Sequence, residues 1–379
     1  MRAVRIPELA LSRYVARWAP TAQHILCSSD VEAWRLDELL ALATPDERAA
    51  WDGLSLGYTP AAGSPALRRE IASLYDDVGP DQVVCFSGVE EAVFVMVNSL
   101  LGQGDHAVGV CPGYGSLHEV ARAAGAQVTL VPLDEDRGWR LPHDRLAAEM
   151  RPTTRLLILN WPHNPTGALP DRGAFEAMLD LAARTGARVL SDESYRLLEH
   201  DPRDRLPAAA ERSDGAVSVA GLSKPFGLAG LRVGWAVSRD ADLLRRASAF
   251  RDYLSACTAA PSEALALVAL RARDEMLGRS RRLIAANLAL LEEFLGRHAE
   301  LFGWQRPRAG STAFLRLDDG VPADRFAAGL RRAEGVLVLP GSVYGCAGNH
   351  LRLSFGGSDF ASALARLERF TGGVRRRGR

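Results

Sequence analysis

Lysine is all but missing from this chain. Of its 46 basic residues one, Lys224, is lysine and the other 45 are arginine. The bias is most simply a genome-level preference for GC-rich codons. Under that pressure a lysine persists where arginine cannot serve: arginine stays protonated, whereas a buried lysine can lose its proton and attack a carbonyl as a free amine. Lys224 is therefore a candidate Schiff-base nucleophile before any motif is considered, against the plainer reading of a chance survivor on a solvated helix. Net charge is lacking too, with 46 acidic residues against 46 basic ones, which removes any electrostatic case for nucleic acid as the main partner. The basic end, "RRRGR", reads as a frayed tail. Five cysteines (Cys27, Cys85, Cys111, Cys257 and Cys346) are odd in number and scattered without CxxC spacing, which points to free thiols in a reducing compartment and offers no metal site. No apolar run approaches membrane-spanning length. The opening stretch, "MRAVRIPELALSRYVARW", is broken by charges and lacks the apolar core of a signal peptide, so the expectation is a soluble cytoplasmic protein without membrane contacts.

What is present is a long alternation. At 379 residues and 47% apolar the chain can bury a large core, as two domains or as one with an appendage. From about residue 83, short β-branched runs ("VVCFSG", "HAVGVCP", "QVTLVPL", "RLLILNWP", "RVLSDE", "AVSVAGLS", "LRVGWAVS") alternate with helical patterns. One such pattern is "RGAFEAMLDLAARTG", with Asp171 before it and Gly186 at its end. Strand, helix, strand, repeated, predicts a mainly parallel sheet with helices on both faces. After residue 240 come long helices and then three short strands, "STAFLRL", "VLVLPG" and "HLRLSF", as in a smaller α+β domain that the N-terminal residues join.

In open α/β sheets the ligand sits beyond the carboxyl ends of the strands. The exits here carry Ser87-Gly88-Val89-Glu90, Tyr114, Asn164, Asp192 with Tyr195, and Ser223-Lys224. An amine, a carboxylate, an aromatic platform and an anion-binding turn in one pocket fit an aldehyde cofactor with a protonatable ring and a phosphate, as in pyridoxal 5′-phosphate. Lys224 would form the Schiff base, and Asp192 would pair with the ring nitrogen and hold it protonated. Tyr195 and Asn164 would bond the phenolic oxygen, and Tyr114 would stack on the ring. The amides of Gly88, Val89 and Glu90, with Arg232 as counter-ion and Ser87 and Ser223 nearby, would hold the phosphate. Lys224, freed by the incoming amino acid, is then the natural base for the Cα proton.

"HNPTG" at 163–167, "DESY" at 192–195, "SKPFGLAGLRVGW" at 223–235 and "LRLSF" at 351–355 resemble, in order and separation, the motifs of the fold type I, class I/II aminotransferases over nearly the whole chain. The resemblance implies a large cofactor-binding domain over 43–245, a small domain over 246–379, and a segment 1–42 associated with the small domain. It also implies a homodimer in which Tyr58 reaches the partner's phosphate, and a clamp on the substrate α-carboxylate by Arg352. Many members carry Ser or Thr where this chain has Gly221, so Ser87, Ser223 or Tyr58 would have to compensate.

The reaction stays open at this stage. Transamination between a small-molecule amino donor and acceptor is the commonest outcome on such a scaffold, and elimination, cyclisation or oxidation needs the same residues. A cofactor-sensing regulator would need a DNA-binding domain where Tyr58 already stands. His163 reads either as a residue beside the ring or as a structural hydrogen-bond partner. Asp30 and Glu32, two apart in "CSSDVEAW", would share one face of an extended segment. Facing the pocket they would favour a cationic or hydroxyl-rich substrate; otherwise they are a solvated face or a helix cap.

Overall fold

The computed structural model describes residues 6–318, 320–345 and 348–377. Cys346 and the last two residues of the basic tail lie outside the described residues, while the final helix, Phe360–Arg377, takes in the three arginines that begin that tail.

Seven strands build the large sheet: β1 (Val83–Phe86), β2 (His106–Cys111), β3 (Gln127–Pro132), β4 (Thr154–Asn160), β5 (Arg188–Asp192), β6 (Ala216–Gly221) and β7 (Gly234–Ser238). Their spatial order is β1-β7-β6-β5-β4-β2-β3. All run parallel except β7, which is antiparallel to both of its neighbours. The reversal has a local cause. Parallel neighbours need a long crossover, but the connection from β6 to β7 holds only the 3₁₀ turn Ala229–Leu231, so the chain turns straight back. Lys224 and Arg232 both ride on that return.

Alternation along β4 shows why the sheet is covered twice. Leu156 and Ile158 join the core that contains Val93, Met96 and Val97 of the helix Val89–Leu100, and Leu157 and Leu159 join the one that contains Phe175 and Met178 of the helix Arg172–Thr185. That second helix is capped as its sequence predicts: Asp171 accepts from the Ala174 amide at 2.7 Å, and Gly186 closes it in the left-handed region at φ 72°.

A second, antiparallel sheet has the order β10-β11-β9-β8, formed by β8 (Phe302–Trp304), β9 (Thr312–Leu317), β10 (Leu339–Pro340) and β11 (His350–Ser354). The sequence reading had no counterpart of β8, and the run "VLVLPG" divides. Leu339–Pro340 joins this sheet, while Val336–Leu337 pairs in parallel with His24–Ile25 near the other end of the chain. That pairing brings the N-terminal segment to the carboxyl edge of the large sheet. Leu26 then accepts from Ser354, and Gly356 accepts from the Glu32 amide.

Candidate active site

The strand exits and the N-terminal segment enclose a cavity of about 670 Å³. Asp192 ends β5 opposite Asn160 of β4. The Asn160 side chain ties the two strand ends together, donating to the Asp192 carbonyl at 3.0 Å and accepting from the Asn164 amide at 2.9 Å. One carboxylate oxygen of Asp192 accepts from the amide and hydroxyl of Ser194 at 3.0 and 2.6 Å. Burial nonetheless pushes this carboxyl up to about 6, with the Glu90 charge adding to the rise while the Ser194 bonds and Lys224 oppose it. Such a carboxylate gains most from a cation placed against it.

Lys224 follows β6 and lines the same cavity. Its Nζ donates to Ser29 Oγ at 2.8 Å and pairs with Asp30. Ser29 is a residue the sequence reading passed over. Its carbonyl also accepts from Tyr195 Oη at 3.4 Å and from Ser311 Oγ at 2.9 Å, so it fixes where the segment lies. Gly356 permits the approach, since a Cβ there would stand 2.2 Å from the Asp30 carbonyl. Asp30 and Glu32 do not share a face in the folded chain. Asp30 lines the cavity, whereas Glu32 turns to accept from the Ser358 amide at 2.8 Å.

Arg352, on β11, is 1% exposed. It donates to Asn164 Oδ1 at 3.0 Å and to the Cys27 carbonyl, and its Nε, buried on the cavity wall, has no protein partner. The Cys27 carbonyl was not foreseeable, because a backbone acceptor leaves no mark in the residue type. Burial raises the Cys27 thiol to about 11. Tyr114 also lines the cavity; burial and its hydrogen bond with Glu90 hold the phenol well above its ordinary value.

The anion-binding turn differs in detail from the expectation. The Gly88 amide donates to the Phe86 carbonyl at 2.8 Å and the Ser87 amide to Glu91 at 2.5 Å, and neither residue lines the cavity. Val89 and Glu90, which do line it, supply the first amides of the helix Val89–Leu100, and an α-helix leaves these without internal partners. Gly88 serves by its shape: at φ 95° it lies against Arg232, whose Nη2 would be 2.2 Å from a Cβ. Gly221 is explained the same way. A Cβ there would meet the Val233 carbonyl at 2.8 Å and Val89 Cγ2 at 2.9 Å, and a Cβ on its strand partner Gly234 would stand 2.6 Å from the Gly88–Val89 peptide. No hydroxyl-bearing residue fits where the strand and the helix start touch. Ser223 lines the cavity and Ser87 does not.

Two further residues stand apart. His163 is not on the cavity wall; it bonds Thr166 Oγ1 at 2.7 Å and the Pro112 carbonyl at 3.0 Å, and burial drives its pKa down to about 3, a structural hydrogen-bonding role. Tyr58, 95% exposed, lines a different cavity of about 530 Å³.

Among the described residues no helix is long and apolar enough to cross a membrane, and no group of three or more metal-ligating side chains occurs. The polar atoms facing the cavity match pyridoxal 5′-phosphate. A buried carboxylate with a raised pKa suits the ring nitrogen, helix amides with an arginine suit the phosphate, and an amine suits the aldehyde.

Comparison with known proteins agrees with this geometry. The family model of aminotransferase class I and II matches residues 29–363. Capreomycidine synthase of Streptomyces vinaceus is 34% identical over 333 residues, covering 87% of this chain and 84% of that protein. Arginine–pyruvate transaminase of Pseudomonas aeruginosa is 32% identical over 342 residues, 83% of this chain and 84% of that one. Among solved structures, a PLP-dependent aminotransferase from Streptococcus suis superimposes with a TM-score of 0.92 at 29% identity, and the PLP-dependent cyclase OrfR with 0.88 at 30%, each covering 98% of both chains. With its strand exits converging on one amine, one buried carboxylate and one helix start, the chain belongs to the class I and II aminotransferases and is an enzyme that works with pyridoxal 5′-phosphate.

Proposed function

We propose that this enzyme transaminates: it moves the amino group of an amino acid to an oxo acid, with Lys224 as the covalent anchor and as the proton carrier at Cα. The observation that carries the reading is the meeting of the sole lysine, the buried Asp192 and the unpartnered Nε of Arg352 on one cavity. When bound, pyridoxal 5′-phosphate supplies a ring that accepts the electrons left at Cα. Asp192 holds a proton at the ring nitrogen, which keeps that ring electron-poor. Val89, Glu90 and Arg232 hold the phosphate end, with Ser223 beside them on the wall. Tyr114 would lie against the ring, and Tyr195 and Asn164, on the same wall, would bond its oxygen. Arg352, steadied by Asn164 and Cys27, offers its free Nε to the α-carboxylate. Lys224 Nζ, once displaced by the amino acid, would be the base that takes the proton from Cα.

The enzyme works as a homodimer in this reading. Tyr58, exposed on the single chain, reaches the phosphate of the second subunit, and a loss of cofactor affinity in Tyr58→Phe, together with the mass of the particle in solution, tests this. The segment 1–42 belongs with the 246–379 unit, a grouping supported by the pairing of His24–Ile25 with Val336–Leu337, and 43–245 carries the cofactor. The neutral composition and the unbridged Cys27, Cys85 and Cys257 suit the cytoplasm.

A second reading, a non-transaminating reaction such as cyclisation or elimination, is favoured by Asp30, a second acid–base group beside Lys224, and by the similarity to a synthase and a cyclase. Single-turnover mixing with an amino donor separates them. Conversion of the cofactor absorbance to the pyridoxamine form with release of an oxo acid supports transamination; product formation without that conversion supports the second reading.

A further inference from the structure

We infer that the amino donor has a cationic side chain, selected by Asp30 with Glu90 on the same cavity; the inference rests on the amino-acid-processing reading above. Four cations line the cavity, Lys224, Arg352 and the exposed Arg13 and Arg232, with three carboxylates, Asp30, Asp192 and the exposed Glu90. Each end of a bound cofactor and amino acid has its counterpart in this set. The phosphate takes Arg232, the ring nitrogen takes Asp192 and the α-carboxylate takes Arg352, while Lys224 stays joined to the cofactor until the amino acid displaces it. Asp30 and Glu90 are left on the wall, and of the cations only the exposed Arg13 is unassigned, so the acids outnumber the bases there.

Independent geometry points to a ligand of this kind. Arg352, 1% exposed and with Nε unpartnered, marks the place of a carboxylate and so orients an amino acid in the cavity. Asp30 and Ser29 form an acceptor pair already suited to an alkylammonium, since the Lys224 Nζ donates to Ser29 Oγ at 2.8 Å and pairs with Asp30 Oδ1. Ser28 Oγ donates to the other Asp30 oxygen at 3.2 Å and holds the carboxylate in place. An ammonium brings three donors. While joined to the cofactor Lys224 does not bring them, and the acceptors Ser29 Oγ and Asp30 Oδ1 turn to the incoming substrate. Glu90 is held by its hydrogen bond with Tyr114, so its charge is fixed at the cavity mouth. An acidic side chain would meet two like charges in a partly desolvated site and be rejected.

Arginine and citrulline have nearly the same shape and differ in charge, which makes them the probes. The holoenzyme is mixed with each, and with glutamate, while the change in cofactor absorbance gives a dissociation constant and a single-turnover rate whatever the later chemistry. Wild type should favour arginine over citrulline by at least about 10-fold, the size expected of a charge-assisted hydrogen bond, with glutamate weakest. Asp30→Asn should bring the ratio to within about 3-fold of unity, and Glu90→Gln should lower it by about 3-fold. Should Asp30→Asn fail to fold, the Glu90→Gln ratio, changed at an exposed first-turn position, still decides. Citrulline or glutamate bound as well as arginine, or a ratio that neither variant moves, overturns the inference alone. No absorbance response to any amino acid in a cofactor-loaded protein overturns the underlying reading with it.

Discussion

The two sides of the cavity are made in different ways. The cofactor side comes from the ends of β1, β4, β5 and β6, neighbours or near neighbours in one sheet, whose register sets Asn160 beside Asp192 and Gly221 beside Gly234. The substrate side comes from residues 27–30 and from Arg352, which meet only because His24–Ile25 pairs with Val336–Leu337 and Ser354 bonds Leu26. Chemistry on the first side follows from local sequence once the sheet is recognised. On the second it depends on contacts more than three hundred residues apart in the chain, such as Arg352 with Cys27. Where the cofactor side meets the helix start it is backbone and glycine, without room for a side chain at Gly88, Gly221 or Gly234, whereas Asp30 and Ser29 on the substrate side act through side chains that can be exchanged.

Four substitutions break or sharpen that contrast. The largest effect belongs to Lys224→Arg, which keeps charge and approximate length but cannot form the covalent link at neutral pH. Activity should fall by more than about 10³-fold with the fold intact, since anchor and base are lost together. Borohydride reduction followed by mass spectrometry should find the cofactor on Lys224 in wild type; a label on any other group would overturn the assignment.

Next is Asp192→Asn, which keeps the hydrogen-bonding shape and removes the charge that holds the ring nitrogen protonated. Turnover should drop by about 10²-fold or more, roughly 3 kcal/mol of barrier. In the cofactor-free chain this carboxyl titrates at about 6 instead of 3.8, so it is ionised above that pH and neutral below it. Cofactor affinity should therefore decline as pH falls through about 6, and the variant should lack that inflection. Near-normal turnover in the variant would remove Asp192 from the site.

Gly221→Ser asks whether the cofactor side is as tightly built as it looks. Restoring the hydroxyl that many family members carry should harm this chain, because the new Cβ meets the Val233 carbonyl and Val89. A stability loss of about 1–3 kcal/mol is expected, the usual cost of overpacking, along with weaker cofactor binding. Tighter binding at unchanged melting temperature would mean that the backbone can give way there.

The smallest effect concerns Glu193, the neighbour of Asp192, which faces the core and not the cavity. It accepts from the Ala209 amide at 2.9 Å and from Ser218 Oγ at 2.7 Å, and burial lifts its pKa from 4.5 to about 7. A carboxyl whose folded-state pKa lies above its unfolded value binds protons more tightly when folded. The stabilisation is fully present below about 4.5 and is lost as pH rises through about 7. Glu193→Gln should flatten the melting profile over that window, by about 1–3 kcal/mol in all, with little change in cofactor binding. An unchanged slope would assign the pH dependence elsewhere.

Residue type alone indicates some of the cavity's lining and misses the rest, for reasons the structure makes plain. Lys224 stood out because a composition almost without lysine gives the remaining one weight, and it lies on the return from β6 where a nucleophile can face the cavity. His163 was ambiguous because a histidine beside a strand exit can point to either side; its bonds to Thr166 and Pro112 turn it inward. Gly88 reads as an amide donor to the phosphate from its place before a helix, and Ser87 as a group that could compensate for Gly221, yet the Gly88 amide is taken by Phe86 and neither residue lines the cavity, a matter of turn geometry that residue types do not encode. The spacing of Asp30 and Glu32 fits one face of an extended segment turned to the pocket, or else a solvated face or helix cap. The segment bends where Gly356 lets it approach, and the two carboxylates part.

By itself the sequence determined the alternation of strands and helices and the mainly parallel sheet, because these rest on periodicity, where chain geometry leaves few choices, while its motifs and the residue types at the strand exits carried the resemblance to the family and the cofactor. Tertiary structure alone decided that Gly221 has no room for a side chain, that Ser29 and the Cys27 carbonyl belong to the site, and that Asp30 faces Lys224 while Glu32 does not. Those outcomes depend on close packing and on backbone groups brought together from distant parts of the chain, and neither is written in the identity of any single residue.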